Sequence, residues 1–505
     1  MTYLITSSLL AVSLAASTYA TPLSTNPHSS PSGRGFLAKA PVIQTEEYHG
    51  RINNSYIIVL KHDSPSRIVD NHMNFLQSAH YADALDAEES GLTQVYSGDH
   101  IKGYAGRFTE SVIEQIRDRP EVEYVEPDQV VKISELKTQK GAPWASHFLG
   151  FRVVLSSNLA GDVLLFRVSR AYVHDPKGGE GVDVYVIDTG INVKHVEFEG
   201  RAFWGKTIPQ NDVDEDGNGH GTHCAGTIAS RAYGVAKSAN VIAVKVLGSN
   251  GSGSMSDVVA GVDWASTSAK AKMQAAQEEF RKTGKTAHKG SVANMSLGGG
   301  KSPTLDRVVN SAADSGLHFA VAAGNENRDA CQSSPAAAEK AVTVGASNLR
   351  DAKAYFSNHG SCVDIFAPGE NIKSTWNSGD HSSNTISGTS MASPHTAGAI
   401  AYLLSLYPSE KFNPVFPEDF SVDLNAQRTF SATSLYSIAH AALPRFISGF
   451  LPDPSLFEAN NAPVPKPMPA ALMKKALLSL GTPDMLSELP EKTINLLLFN
   501  NATEA

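Results

Sequence analysis

The chain has 505 residues, of which 41% are hydrophobic and 18% charged, a composition typical of globular proteins with roughly two to four domains. The 51 Asp and Glu residues outnumber the 42 Lys and Arg residues, and the net charge of −9 excludes nucleic-acid binding through bulk positive charge. The three cysteines exclude a small disulfide-rich scaffold and a four-cysteine zinc module, and they leave at least one thiol unpaired within the chain.

The amino-terminal residues are predicted to direct the chain into the secretory pathway. An apolar run over residues 9–16 is followed by small residues that end at Ala20, which is typical of a signal peptide over residues 1–20. The run is too short to span a membrane and no later segment qualifies, so we expect no membrane partner. Residues 21–54 are rich in Pro and Ser and are predicted to form a linker.

Residues 55–132 are predicted to form a small α+β domain. Strand composition, helical spacing of apolar residues and turn residues alternate along this segment. The predicted elements are a strand, a helix, a hairpin region, a short helix and a strand, at residues 55–61, 67–84, 95–104, 111–117 and 122–131.

Residues 181–407 contain short, nearly continuous apolar runs that end in Gly or polar residues. These runs lie at residues 182–190, 240–248, 318–325, 340–347 and 363–369. They indicate strands buried on both faces, and therefore an α/β fold with a mostly parallel central sheet and helices on both faces. The segment 255–281 is long enough for a crossover helix, residues 408–468 read as an irregular insertion, and residues 470–480 read as an amphipathic helix. Ligands of such folds bind at the carboxyl ends of the strands.

Four residues near these strand ends are candidates for nucleophilic catalysis. Asp188 ends an apolar run, and His220 lies among glycines at a helix start. Ser390 stands at the amino end of an apolar helix, where amides and the helix dipole favour developing negative charge. In the order Asp, His, Ser they supply an orienting carboxylate, a base and a nucleophile, and Asn325 supplies an amide donor for an oxyanion. Pro394 is predicted to lie in the first turn of the helix, where a missing N–H is tolerated.

Other interpretations of the same segments are weaker. Each candidate taken alone could be a turn or helix-capping residue. His220 and His223 could pair as metal ligands, but no third ligand stands at a metal-site spacing. The start of an EF-hand loop is suggested by Asp212, Asp214, Asp216 and Gly217. That interpretation fails because position twelve would be His223, where a bidentate Glu is needed, so a solvated acidic loop is expected.

Five motifs together carry a family resemblance: VIDTGIN, GHGTHCAGT, NMSLGGG, AAGNEN and GTSMASPH. With them the chain resembles the subtilisin-like serine proteases, in particular the proteinase K branch and the fungal cerevisin (vacuolar proteinase B) group. The resemblance covers about 181–407 and 470–505, and residues 55–132 are similar to the inhibitory propeptide of the family. It implies a monomeric serine endopeptidase made as a zymogen, with a subtilisin-like catalytic domain over 181–505. Its partners would be protein and peptide substrates and its own propeptide, and catalysis would need no cofactor.

The resemblance also implies a role for each site residue. Ser390 attacks the peptide carbonyl, His220 moves the proton, Asp188 orients His220, and Asn325 binds the oxyanion together with the Ser390 amide. An extended substrate would lie between two segments, with small residues lining a pocket for a large apolar side chain, which predicts broad specificity. The implied substrate-binding residues are Gly248, Ser249, Asn250, Gly251, Ser296, Leu297, Gly298, Ala322, Ala323 and Gly324.

Further features follow from the same resemblance. A disulfide would join Cys331 to Cys362 and leave Cys224 free and buried. A structural calcium ion would use the Asp364 carboxylate, with backbone carbonyls from Glu339 and Ala341. The resemblance also favours a vacuolar destination over an extracellular one. Independently of it, the sequence places the best glycosylation candidate at the sequon of Asn501.

The processing region over residues 133–180 departs from the family. Residues 145–170 form an atypical insertion, and cleavage is expected between about Lys132 and Gly181. Two rival functions therefore stay open: a catalytically silent binding protein on the protease fold, and a chain in which the insertion blocks release of the propeptide.

Overall fold

The computed structural model describes residues 39–44, 49–85, 90–133, 172, 174–409, 411–414, 416 and 467–499. All of them belong to one compact unit, Lys39–Ala505. The predicted signal peptide, the 145–170 insertion, most of the 408–468 insertion and Asn501 lie outside the described residues. No helix in the described part of the chain is both long and apolar enough to cross a membrane.

The amino-terminal domain is an antiparallel sheet covered by two helices, in the spatial order β4-β1-β3-β2. Its elements are β1 Arg51–Leu60, α1 Ser66–Ala82, β2 Gly91–Tyr96, β3 Gly103–Arg107, α2 Glu110–Arg117 and β4 Val122–Ile133. The Thr109 hydroxyl caps α2 by accepting a hydrogen bond from Val112 N. Apolar residues of β1, such as Ile58, pack with Leu76 of α1 and Ile116 of α2 to form a separate small core.

The rest of the described chain adds fourteen strands and five α-helices. Its strands are β5 Val182–Asp188, β6 Ala202–Thr207, β7 Asn240–Lys245, β8 Ser252–Ser254, β9 Gly290–Met295, β10 Leu297–Gly300, β11 Leu317–Ala322, β12 Ser333–Ser334, β13 Val342–Ser347, β14 Ile365–Pro368, β15 Ile372–Thr375, β16 Ser383–Ile386, β17 Thr482–Pro483 and β18 Leu496–Leu497. Its helices are α3 His220–Ala229, α4 Met255–Thr283, α5 Pro303–Asp314, α6 Thr389–Leu406 and α7 Ala470–Leu480. Nine of these strands form the central sheet in the order β17-β18-β14-β13-β11-β9-β5-β7-β6, parallel except for the β17–β18 pair. Strands β8, β10 and β12 extend the sheet of the amino-terminal domain beyond β4, and β15 pairs with β16 alone.

Both faces of this sheet are buried, as the apolar runs predict. Along β5, Val184 and Val186 pack into one core with α3 and α6, whereas Tyr185 and Ile187 pack into another with α4 and α5. Alternate side chains of a strand point to opposite faces, so a strand covered by helices on both sides is apolar throughout. The predicted α/β fold class is confirmed, and the carboxyl ends of β5 and β11 and the amino ends of α3 and α6 carry the candidate residues.

Candidate active site

Asp188 and His220 form a buried pair at the carboxyl edge of the sheet. Asp188 is the last residue of β5, and His220 is the first residue of α3. His220 Nδ1 lies 2.8 Å from Asp188 Oδ1, and both residues are 0% exposed. The same carboxylate oxygen accepts Thr189 N at 2.8 Å. With Nδ1–H donated to Asp188, the basic lone pair of the imidazole is on Nε2.

A second buried carboxylate, Asp216, holds the loops that carry this pair. It accepts five hydrogen bonds, from Thr189 Oγ1, Asn218 N, Gly219 N and both Thr222 N and Thr222 Oγ1. Thr189 follows Asp188 in the chain, and the other donors flank His220. Asp216 therefore ties the two partners of the pair into one rigid unit. Sequence reasoning placed Asp216 only in a solvated acidic loop, and its 7% exposure contradicts that expectation.

Ser390 is the second residue of α6 and is 0% exposed. Its Oγ donates to the Ser296 carbonyl at 2.9 Å, while His220 Nε2 is buried and without a hydrogen-bond partner among the described residues. Ser390 Oγ and His220 Nε2 are therefore not hydrogen-bonded to each other here. Hydrogen bonds between a nucleophile and its base are often long or poorly aligned without substrate and tighten only in the substrate complex.

The position of Pro394 corrects the expectation that it lies in the first helical turn. It is the sixth residue of α6, so its missing N–H leaves the Ser390 carbonyl, four residues earlier, without its helical partner. That carbonyl accepts instead from Ser296 Oγ at 2.8 Å and from Cys224 Sγ at 3.4 Å. The helix therefore tolerates proline because side chains from β9–β10 and α3 satisfy the orphaned carbonyl.

The electrostatics favour His220 over Cys224 as a participant in proton transfer. Burial alone lowers the pKa of His220, but the Asp188 carboxylate raises it, and the net pKa lies well above the ordinary 6.5. Burial raises the pKa of the Cys224 thiol, which keeps it protonated and a poor nucleophile near neutral pH.

Asn325 follows β11 and is oriented by Thr389, the first residue of α6. Asn325 Oδ1 accepts from both Thr389 N and Thr389 Oγ1 at 2.9 Å, and Thr389 Oγ1 accepts Gly324 N at 3.1 Å. Because the oxygen of the amide faces Thr389, its NH₂ group is directed to the other side. Gly324 has φ +104°, and a Cβ there would lie 2.2 Å from Asn358 Nδ2, so the turn requires glycine. Thr389 was not singled out from the sequence, although it stands in the GTSMASPH motif.

The last strand of the amino-terminal domain runs directly to this site. β4 pairs antiparallel with β10, with Lys132 opposite Gly298 and Ile133 opposite Leu297. On its other side it pairs with β8, with Val130 opposite Ser254 and Lys132 opposite Ser252. Leu297 is adjacent to Ser296, whose carbonyl accepts the Ser390 hydroxyl. An extended peptide segment of this chain therefore occupies the groove that ends at Ser390.

The two segments predicted to form the walls of this groove differ in how they contact β4. Leu297 and Gly298 pair with β4, and Ser296 lies next to Ser390. On the opposite side Gly251 O accepts Ile133 N at 3.0 Å, but the paired strand is β8, which sequence reasoning missed. The residues before Gly251 form a turn that leads into β8, with Gly248 N donating to Ser252 O, Ser249 O accepting from Asn218 Nδ2 and Asn250 Oδ1 accepting from Ser252 N.

Two buried carboxylates anchor β4 to the helices beneath it. Glu126 accepts hydrogen bonds from Ser302 Oγ and from Thr304 N and Oγ1, at the amino end of α5. Asp128 accepts from Ser256 N and Oγ at the amino end of α4, and from Ser55 Oγ of β1. Negative charge at a helix amino end is favourable, so these contacts hold the amino-terminal domain on the catalytic domain. Burial raises the pKa of both carboxyls, and these hydrogen bonds oppose the rise.

The structure also places the three cysteines and the histidine considered as a metal ligand. Cys331 and Cys362 form a disulfide with a sequence separation of 31, and Cys224 is free and buried. His223 Nε2 lies 3.0 Å from the Ile372 carbonyl, and His223 is not among the described side chains that could converge on a metal together with His220. Within the described ranges, the one group of three or more His, Cys, Asp or Glu side chains that could converge on a metal is Asp188, His220 and Cys224, which is the buried Asp–His pair with its neighbouring thiol.

A parallel sheet with an aspartate, a histidine and a serine at its carboxyl edge, closed by an extended strand of the same chain, defines a serine protease in zymogen form. The profile of the Subtilase family matches residues 179–426, and that of the peptidase inhibitor I9 family matches residues 55–134. The subtilisin-like serine protease Pen ch 18 of Penicillium rubens is 48% identical over 470 residues, which are 90% of this chain and 82% of that protein.

Two further relatives extend the comparison. The subtilisin-like proteinase Spm1 of Pyricularia oryzae is 50% identical over 414 residues, 76% of this chain and 75% of that protein. A solved structure, that of a cold-adapted subtilisin-like serine proteinase, is 35% identical with a TM-score of 0.50 and covers 72% of this chain and 99% of its own.

The chain belongs to the subtilase family of serine proteases, and the similarities are consistent with the proteinase K branch. It is a serine endopeptidase made as a zymogen, and its I9 domain implies intramolecular inhibition and protein substrates. The predicted family, fold, function and enzyme class are confirmed, and the silent or permanently blocked alternative is not favoured. Subtilases need no cofactor for catalysis.

Proposed function

We propose that Ser390, His220 and Asp188 perform acyl-enzyme chemistry in the order nucleophile, base and orienting carboxylate. The observation that carries the proposal is the 2.8 Å hydrogen bond between His220 Nδ1 and Asp188 Oδ1, fully buried beside Ser390. Ser390 Oγ attacks the peptide carbonyl while its proton passes to His220 Nε2. The C–N bond then breaks as His220 returns that proton to the leaving amine, and a water molecule repeats the sequence to release the acid.

Two donors are proposed to stabilise the oxyanion of each tetrahedral intermediate. One is the Asn325 amide NH₂, whose orientation is supported by the two hydrogen bonds from Thr389 to Asn325 Oδ1. The other is the Ser390 backbone N–H, in the first turn of α6, where amides have no helical partner. Both are preorganised by the fold, which is the condition for large electrostatic stabilisation in a buried site.

The amino-terminal domain over residues 55–132 is proposed to act as the inhibitor by leaving its last strand in the substrate groove. Support comes from the pairing of Lys132 and Ile133 with β10, one residue short of Ser296. We infer that self-cleavage falls within the first few residues after Ile133, at the start of the 133–180 processing region. The catalytic domain would then cover 181–505, with 408–468 as an insertion.

Specificity is proposed to be broad, with a preference for large apolar residues before the scissile bond. Ala322, Ala323 and Gly324 are small, and the packing of Asn358 against Gly324 keeps a larger residue out of that position. The enzyme is proposed to act as a monomer, because one chain supplies the whole site. A signal peptide over 1–20, glycosylation at Asn501 and a vacuolar rather than extracellular destination are proposed from the sequence.

Covalent labelling tests the assignment of the nucleophile. A biotinylated fluorophosphonate is incubated with the activated enzyme, and the labelled peptide is identified by mass spectrometry. Labelling at Ser390 is expected, and Ser390→Ala should abolish it. Ser393→Ala is the matched control, since Ser393 lies on the same helix and bonds Asn294 Oδ1. Label on another residue, or unchanged labelling of a folded Ser390→Ala variant, contradicts the assignment.

A further inference from the structure

Three oxygen atoms converge at the amino ends of two neighbouring strands, far from Ser390 in sequence. They are the backbone carbonyls of Glu339 and Ala341, just before β13, and the Asp364 carboxylate, just before β14. Lys474 Nζ donates to all three, at 2.8 Å, 2.6 Å and 2.8 Å respectively. A lysine ammonium has three N–H donors, so this arrangement uses every one of them.

The surroundings fix both ends of the contact. Lys474 lies on α7, which is held in the core by its buried neighbours Met473 and Leu477. Asp364 Oδ2 also accepts Thr343 N at 2.8 Å, and Asp364 N donates to Thr343 O at 2.9 Å. The Lys474 and Asp364 side chains are 19% and 20% exposed, so the ion pair is largely withdrawn from water.

These are the oxygens from which a structural calcium ion was expected, and the residues present do not fit one. Calcium binds six to eight oxygens at about 2.3–2.6 Å. An ion centred among the three oxygens would take the position of Lys474 Nζ. A divalent ion would also lie close to the positive charge of the displaced ammonium at a site largely withdrawn from water, which is unfavourable.

We propose that Lys474 is the built-in cation of this site, so that the link between α7 and the strands β13 and β14 does not depend on calcium. The covalently attached ammonium replaces a dissociable ion. The inference concerns stability only, and it stands whether or not the catalytic roles assigned above are correct.

Thermal unfolding tests the proposal without relying on activity. The full-length chain carrying Ser390→Ala, which prevents self-digestion, is measured in excess EDTA and in millimolar calcium chloride. Lys474→Met removes the ammonium and keeps an unbranched side chain. Lys475→Met is the matched control, because it removes the same charge at the next position, where the ammonium lies 4.2 Å from the centre of the Phe416 ring.

Lys474→Met is expected to lower Tm in EDTA by roughly 5 °C relative to Lys475→Met, because a carboxylate and two carbonyls lose their cation. Calcium should restore part of that loss, and the restoration should disappear in Lys474→Met/Asp364→Asn. Two results overturn the proposal. One is a calcium-induced rise in the Tm of the parent that Asp364→Asn abolishes. The other is an equal Tm in EDTA for the Lys474→Met and Lys475→Met variants.

Discussion

Replacing Asp216 by Asn is expected to slow catalysis although the residue touches no substrate. The amide can keep its oxygen toward Thr189 Oγ1 and the Gly219 amide, which bond Oδ1. Its NH₂ group would then replace Oδ2 and face Thr222 N and Thr222 Oγ1, which donate to Oδ2 at 3.0 Å and 2.6 Å. Two hydrogen bonds to a charged group are lost, each contributing about 1.5–3 kcal/mol, so a destabilisation of about 3–6 kcal/mol is expected.

The catalytic consequence follows from what Asp216 connects. The loop after Asp188 and the start of α3 at His220 lose a shared anchor, and misplacement of a catalytic group by about 1 Å can cost roughly 100-fold in rate. We therefore expect kcat to fall about 100-fold with little change in KM. The acidic limb of the pH profile of kcat/KM should also shift to lower pH. The reason is that a looser contact with Asp188 raises the pKa of His220 less.

The assay requires that the propeptide of each variant is removed without relying on the activity of that variant. Asp216→Asn chains are cleaved in trans by immobilised parent enzyme, and kcat is expressed per active site titrated with a fluorophosphonate. Asp214→Asn is the matched control, because Asp214 lies in the same loop but is exposed and bonds only Thr207 Oγ1 among the described contacts. Thr222→Val, which removes one donor, serves if Asp216→Asn does not fold. A folded Asp216→Asn enzyme with parental kcat and pH profile refutes the positioning role.

Three further outcomes are expected. The value of kcat/KM should rise with pH through a pKa above 6.5, because neutral His220 is the base and its pKa is raised. An acidic limb with a pKa at or below 6.5 would contradict this. Asn325→Ala should lower kcat by about 10²–10³ with KM nearly unchanged, a magnitude known for such a donor in the relative subtilisin; an increase in KM alone would assign Asn325 to ground-state binding. Glu126→Gln should speed release of the propeptide about 30-fold, because the contact of the carboxylate with the start of α5 loses roughly 2 kcal/mol of binding free energy. The lag before activity appears measures the rate of release. Glu123→Gln, which removes only a half-exposed ion pair with Arg307 of α5, should shorten that lag far less.

The sequence predicts the parts of the fold whose pattern reflects local burial. The run at 182–190 is apolar without alternation because helices cover both faces of β5, and the structure has the strand at Val182–Asp188. The helix at 470–480 and the strand at 55–61, found at Arg51–Leu60, follow from the same reasoning. The predicted hairpin region at 95–104 covers the end of β2, the connection and the start of β3. Only its outer residues are paired, with Val95 opposite Tyr104 and Tyr96 opposite Gly103.

What escaped prediction depends on distant partners. β8 is a Ser-Gly-Ser segment with no apolar pattern, and it is a strand because β4 pairs with it. Asp216 lies in a run of acidic residues and is distinguished from them only by the five donors that surround it. Lys474 meets Asp364 across 110 residues of sequence, a contact that amphipathic spacing on α7 cannot reveal.

The intact mass of the full-length chain over time near neutral pH, compared with that of Ser390→Ala, tests the central claim most directly. The parent is expected to release an amino-terminal fragment that ends within a few residues after Ile133, while Ser390→Ala stays at full length. This result would identify Ser390 as the nucleophile and β4 as the strand left in the groove after cleavage. Identical cleavage of both chains, or a parent that stays uncut under conditions in which it is folded, would contradict the account.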